Sequence, residues 1–207
     1  MILPGGFVLY AFREIVIATR NRNKVEEIER MLEGSGIKLI GLDDAGQCAD
    51  VVEDAPDFKG NALKKARETA FSTGRTALAD DSGLEVDALG GSPGVHSARF
   101  AGPDATDRDN NDRLLKALDG IPIGGRGARF VCVMALVTPD GEERTFEGSV
   151  DGIIALRPEG EGGFGYDPLF IPVGYKRSFA RMSGQEKDSM SHRGRALRAF
   201  AAYIRGK

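Results

Sequence analysis

The stretch Glu14-Ile15-Val16-Ile17-Ala18-Thr19, followed at once by Arg20-Asn21-Arg22-Asn23-Lys24, decides the fold. Ile15, Val16, Ile17 and Thr19 are β-branched and favour extended backbone, and an apolar run without alternation suits a strand covered on both faces. The polar run then gives way to Val25, Ile28 and Leu32 at helical spacing, and Gly34-Ser35-Gly36 ends that pattern. The unit recurs: residues 37–42 read as a second strand, and residues 61–73 as a helix with Ala62, Ala66 and Ala70 on a close-packed face. Residues 76–79 then read as a short strand ending in Asp80-Asp81-Ser82-Gly83. Strand, helix, strand, helix, strand is the order of an α/β protein with a largely parallel sheet.

Further along, residues 107–118 read as a helix with Leu114, Leu115 and Leu118 inward. Residues 128–137 read as a fully covered strand, and Pro139-Asp140-Gly141 turns it into a hairpin partner at 144–150, so the sheet is mixed. Residues 160–172 are rich in Gly, Pro and aromatics, too irregular for an element and too apolar for a linker. Residues 191–204 read as a final helix with Ser191 as N-cap. Residues 1–13 are an extension ahead of the first strand, and residues 14–207 form one domain.

With 207 residues the chain is long enough to bury a core without disulfides or a structural metal. Cys48 and Cys132 lack metal-site spacing and fit a reducing, cytoplasmic setting. The longest early apolar run, residues 7–12, is too short to span a membrane and lacks the flanks of a signal peptide. A net charge of -3 argues against a nucleic-acid polymer as partner but leaves room for a small anionic ligand held by a local cation cluster.

Four clusters can carry chemistry. Thr19, Arg20, Asn21, Arg22, Asn23 and Lys24 lie where a strand passes to a helix N-terminus, a place that favours anions, although a solvated turn uses the same residues. Asp80 and Asp81 are adjacent on a strand and so point to opposite sides. One can face a ligand and hold Mg²⁺ with a further acid, Glu53 or Asp54, while an Asp-Ser-Gly turn is the structural alternative. Gly162-Gly163-Phe164-Gly165-Tyr166-Asp167-Pro168 offers two aromatic faces on which a nucleobase can stack, or else plugs the core. Lys187, Ser191, His192 and Arg193 set cations and donors at the start of the last helix, where a surface role is the plainer reading.

In this order the clusters resemble the inosine triphosphate pyrophosphatase family, over nearly the whole chain from Ile15 to Ile204. The closest likenesses are ADDSGLEVDALGGSPGVHSARFAG at residues 79–102, GGFGYDPLF at 162–170 and SHRGRAL at 191–197. The resemblance implies an elongated α/β fold of two lobes around a central cleft, in a homodimer. It also implies Mg²⁺-dependent hydrolysis of ITP, dITP and XTP to the monophosphate and pyrophosphate, cleansing the nucleotide pool.

Residue by residue, the resemblance makes Thr19 to Lys24 the phosphate loop, with Arg20 where the family carries Gly. Asp81 becomes general base and metal ligand, with Ser82 beside it at the substrate. Phe164, Gly165, Tyr166, Asp167, Lys187, His192 and Arg193 become substrate contacts. The family's Glu-Glu-Thr-Gly stretch stands here as Val52-Glu53-Asp54-Ala55, and Glu53 is taken as the second metal ligand. Two rivals use the same features: a nucleotide-binding regulator without turnover, and a phosphatase or nucleotidyltransferase acting on other triphosphates.

Overall fold

Residues 14–46 and 49–206 are described by a computed structural model; the expectations for residues 1–13 and Cys48 lie outside them. The β-branched run forms β1 (Glu14–Ile17), and its polar sequel opens α1 (Arg22–Leu32), capped by Asn21, whose side chain accepts from the Lys24 N–H. β2 (Lys38–Gly41) pairs with β1 in parallel, Val16 against Ile40. α2 (Phe58–Thr73) begins three residues earlier than the alanine spacing suggested, because Asp57 caps the Gly60 N–H, and it ends at Gly74 in left-handed backbone. β3 (Ala77–Val86) also lies parallel to β1.

The strand expected to stop at Ala79 instead runs through both aspartates to Val86. Asp80, Asp81, Gly83 and Leu84 are all buried, so Asp-Ser-Gly is not a turn here. Charged partners described below hold the two carboxylates inside the strand, where unpaired carboxylates would break it.

α3 (Asp107–Ala117) opens with a capping box between Thr106 and Asp109. β4 (Gly127–Val137) and β5 (Glu143–Ile154) form the expected hairpin about Thr138–Glu142. Within the irregular 160–172 stretch lies a short strand not foreseen, β6 (Phe170–Pro172), antiparallel to β5. A brief helix also unforeseen, α4 (Gly184–Met190), precedes α5 (His192–Ile204). Ser191 caps α5 as expected, its hydroxyl accepting from the Gly194 N–H at 3.0 Å. The sheet is six-stranded and mixed, in the order β2-β1-β3-β4-β5-β6.

The chain divides into two compact units. The first takes residues up to Asp81 with 133–147 and 196 onward, and Val16, Ile40 and Leu42 pack together within it. The second takes residues 82–132 and 148–195, and its core gathers Leu84, Leu114, Leu118, Phe130, Tyr166 and Phe170. Among the described residues no helix is long and apolar enough to cross a membrane.

Candidate active site

In the first unit, strand alternation sends the two aspartates to different lysines. Asp80, fully buried, meets Lys24 Nζ from the first turn of α1 at 3.1 Å. Asp81 meets α2: Asn61 Nδ2 donates to its Oδ2 at 3.2 Å, and Lys65 Nζ lies 3.5 Å from its Oδ1. Lys65 also bonds Glu53 Oε1 at 3.1 Å, so two carboxylates share one ammonium. Asp54, exposed, turns instead to half-buried Lys64 at 2.7 Å, which separates the two acids the sequence left open. Asn61 is itself fixed, because its Oδ1 accepts from the Ala55 N–H at 2.9 Å.

Burial dominates the protonation of this cluster. It pushes the Asp81 carboxyl up to about 6, against the pull of Lys65 and Lys24, with Glu53 adding to the rise. Burial likewise opposes the charge on Lys65, yet Asp81, Asp80 and Glu53 together raise its affinity for a proton, so it stays an ammonium. A carboxyl that titrates near neutrality is suited to accept a proton in catalysis.

A pocket of ≈ 250 Å³ is lined by Thr19, Arg20, Asp50, Glu53, Lys65 and Thr69 among others. Thr19 Oγ1 accepts from the Asn21 N–H, Arg20 is engaged by Asp43 and Asp50, and Arg22 and Asn23 are exposed on the helix start. Of residues 19–24, Thr19 and Lys24 thus lie near the acids, while Arg20 is held toward Asp43 and Asp50.

Asn61, Lys65 and Thr69 escaped the sequence reading. They form a buried polar stripe at four-residue spacing, directly beside the alanine stripe of α2. A polar row flanking a small-residue row on one helix was the available signal.

The second unit holds the other cluster. The loop at 162–168 is tied by Asp167, whose Oδ2 accepts from the Phe164 N–H at 2.9 Å and from Lys187 Nζ at 2.5 Å. Gly163 lies at φ +71, and a Cβ there would fall 2.1 Å from Asp167 Oδ2. Phe164, half-buried, carries Lys187 Nζ 4.7 Å and Arg193 Cζ 5.5 Å from its ring centroid, both within cation–π range. Arg193, 1% exposed, donates to Ser82 Oγ at 2.8 Å. His192 stacks on Phe130, centroids 4.6 Å apart and planes 9° apart. Gly194 permits this start of α5, since a Cβ there would meet the Asp188 carbonyl oxygen at 2.0 Å.

The two aromatics of the loop part company. Tyr166 is packed in the apolar core, and its hydroxyl donates to the Ser97 carbonyl at 2.9 Å; burial and Asp107 hold that phenol in its neutral form. A stacking face from Tyr166 is therefore not offered, and Phe164 alone keeps its ring at the loop surface. The two were alike in sequence because both are aromatic; burial separates them, Tyr166 lying in the core and Phe164 half-buried. Among the described residues no three His, Cys, Asp or Glu side chains converge closely enough to form a metal cluster on their own.

A mixed α/β sheet with paired acids on a central strand and an aromatic loop ringed by cations defines a recognisable class of protein. The chain belongs to the Ham1 family, whose model matches residues 15–203. It is 52% identical over 183 residues to a dITP/XTP pyrophosphatase of Syntrophobacter fumaroxidans, covering 88% of this chain and 78% of that one. Among solved structures it is similar to a HAM1 protein from Coxiella burnetii, with 39% identity, a TM-score of 0.86 and coverage of 94% and 99% of the two chains. A nucleoside-triphosphatase, dITP/XTP pyrophosphatase, from Mycobacterium abscessus gives 49% identity, a TM-score of 0.75 and coverage of 90% and 98%.

Proposed function

We propose that this chain is a Mg²⁺-dependent hydrolase that cleaves ITP, dITP and XTP to the monophosphate and pyrophosphate. The observation that carries the reading is Asp81, a carboxyl pushed up to about 6 that shares the ammonium of Lys65 with Glu53. The names of the similar relatives support the substrate class.

A triphosphate carries nearly four negative charges, which repel any nucleophile until they are neutralised. Asp81 and Glu53 both reach the Lys65 ammonium, so their hard oxygen atoms lie close together, and a carboxylate pair of this kind suits Mg²⁺, which binds through one or two carboxylates together with phosphates and waters. When bound there, Mg²⁺ supplies charge neutralisation and holds the phosphates in place. Asp81 orients a water for in-line attack on the α-phosphorus and takes its proton. The new oxygen–phosphorus bond forms as the bond to the pyrophosphate oxygen breaks. Lys65 and Lys24 hold the phosphate charge through the step.

The loop of the second unit serves the purine. Phe164 offers a stacking face, and Arg193 and His192 supply donors suited to the 6-oxygen of hypoxanthine or xanthine. The amino group of adenine leaves such donors unsatisfied, which costs about 1–3 kcal/mol per buried donor.

A panel of ITP, dITP, XTP, GTP and ATP at fixed Mg²⁺, with phosphorus NMR of the products, tests the reading. The expected result is nucleoside monophosphate and pyrophosphate from the first three, with ATP much slower. Release of orthophosphate, or binding of ITP without turnover, overturns it.

A further inference from the structure

Phe164 is useful only if its ring is held in place, and the bonds that hold the next residue come from a helix not yet assigned a role. Asp107 and Asn111 sit one turn apart on α3 and grip Gly165 from both sides. Asp107 Oδ2 accepts from the Gly165 N–H at 2.7 Å, and Asn111 Nδ2 donates to the Gly165 carbonyl at 2.9 Å. Gly165 itself lies in left-handed backbone at φ +60, a conformation that a loop can leave easily unless its peptides are anchored.

The neighbouring Asn110 makes the same kind of bond elsewhere. Its Oδ1 accepts from the Ala101 N–H at 2.8 Å and its Nδ2 donates to the Ala98 carbonyl at 3.1 Å. Below this polar tier, Leu114 and Leu118 anchor the helix in the core. One end of α3 is therefore a rigid apolar foot and the other a set of polar fingers on loops. The Asn111 Oδ1, buried, makes no hydrogen bond among the described residues. With one end of the amide unbonded, the net stabilisation from Asn111 is small, and its contribution is to where the loop sits.

We propose that Asp107 and Asn111 are positioning residues for base recognition: by clamping Gly165 they fix the Phe164 ring beside Lys187 and Arg193. The inference rests on the proposed purine hydrolysis and adds the residues that tune it. Loss of either clamp frees the ring and weakens the purine contact while leaving the acid–lysine cluster of the first unit intact.

The test compares Asp107→Ala, Asp107→Asn, Asn111→Ala and wild type, measuring KM and kcat for ITP and hydrolysis of inorganic tripolyphosphate, which has no base. Expected are a rise in KM for ITP of about five- to tenfold in both alanine variants, equivalent to one lost contact, with kcat within threefold. Asp107→Asn, which keeps an accepting oxygen, recovers most of the loss, and the rate on tripolyphosphate is unchanged throughout. Asp107 is exposed, so its variant folds even if Asn111→Ala does not, as thermal melting will show. An unchanged KM for ITP in Asp107→Ala, or equal losses on ITP and tripolyphosphate, overturns the clamp. Failure of wild type to hydrolyse ITP at all overturns instead the reading on which it rests.

Discussion

The two clusters hold their cations in opposite ways. In the first unit, Lys24 and Lys65 face carboxylates, and Asp81, the proposed proton acceptor, is held in a form it resists: burial works against its charge at neutral pH. In the second unit, Lys187 and Arg193 lie over an aromatic ring, each also bonded to an oxygen, Asp167 for one and Ser82 for the other. The first arrangement stores electrostatic stress at the carboxyl proposed to take a proton. The second removes freedom at the ring proposed to meet a flat ligand. The contrast teaches that stability and activity should separate in the first cluster and run together in the second.

The sharpest break is Asp81→Asn. Turnover of ITP should fall by about a thousandfold or more, through loss of both proton acceptor and metal-directed charge. The metal-free protein should nonetheless melt no lower than wild type at pH 7.5. The folded carboxyl titrates near 6 against about 3.9 in the unfolded chain, so the folded state binds the proton more tightly. That contribution to stability is complete below about pH 4 and is lost as pH rises through 6. The advantage of the variant, on the order of 1–3 kcal/mol, should therefore be largest at neutral pH and vanish on acidification. Calorimetry at pH 7.5 and pH 5 measures it, and a variant less stable than wild type at neutral pH would remove the stress from Asp81.

Lys65→Met comes next. It strips the shared ammonium from Asp81 and Glu53, so turnover should drop about a hundredfold and the Asp81 carboxyl should titrate above its present value near 6. Carbon-13 NMR of the metal-free protein follows that carboxyl directly. A midpoint that stays put would show Lys65 to be a bystander. The smallest effect belongs to the second cluster: Phe164→Leu keeps bulk but loses the flat face, and should raise KM for ITP about tenfold with kcat within threefold. A fall in kcat at constant KM would instead place the ring with the reacting phosphates.

Most of this architecture was legible because it rests on periodicity. The β-branched run at 14–17, the Val25-Ile28-Leu32 stripe and the covered strand at 127–137 each announce one element. What escaped was local and cooperative. Asp80-Asp81-Ser82-Gly83 carries turn chemistry, and only Lys24, Lys65 and Asn61, all distant in sequence, make it a strand. α4 and β6 are too short to show a period. Glu53 and Asp54 differ by one methylene and one position, so their separation awaited Lys64 and Lys65. Lys65 itself was hidden because, on α2, the alanines drew attention to the packing face while the polar row lay one residue behind.

Asp80 and Asp81 have the same side chain and adjacent places on one strand, and yet only Asp81 has a job in the proposed reaction. What assigns the job is parity. β3 behaves as a two-way selector that routes Asp80 to Lys24 and Asp81 to Lys65. A single residue deleted within Ala77–Ala79 would carry Asp81 to the side of Lys24 and bring Ser82 to the place beside Lys65, so that no carboxylate would remain there. The chemistry proposed for the site therefore depends on the count of residues along the strand as much as on their identity.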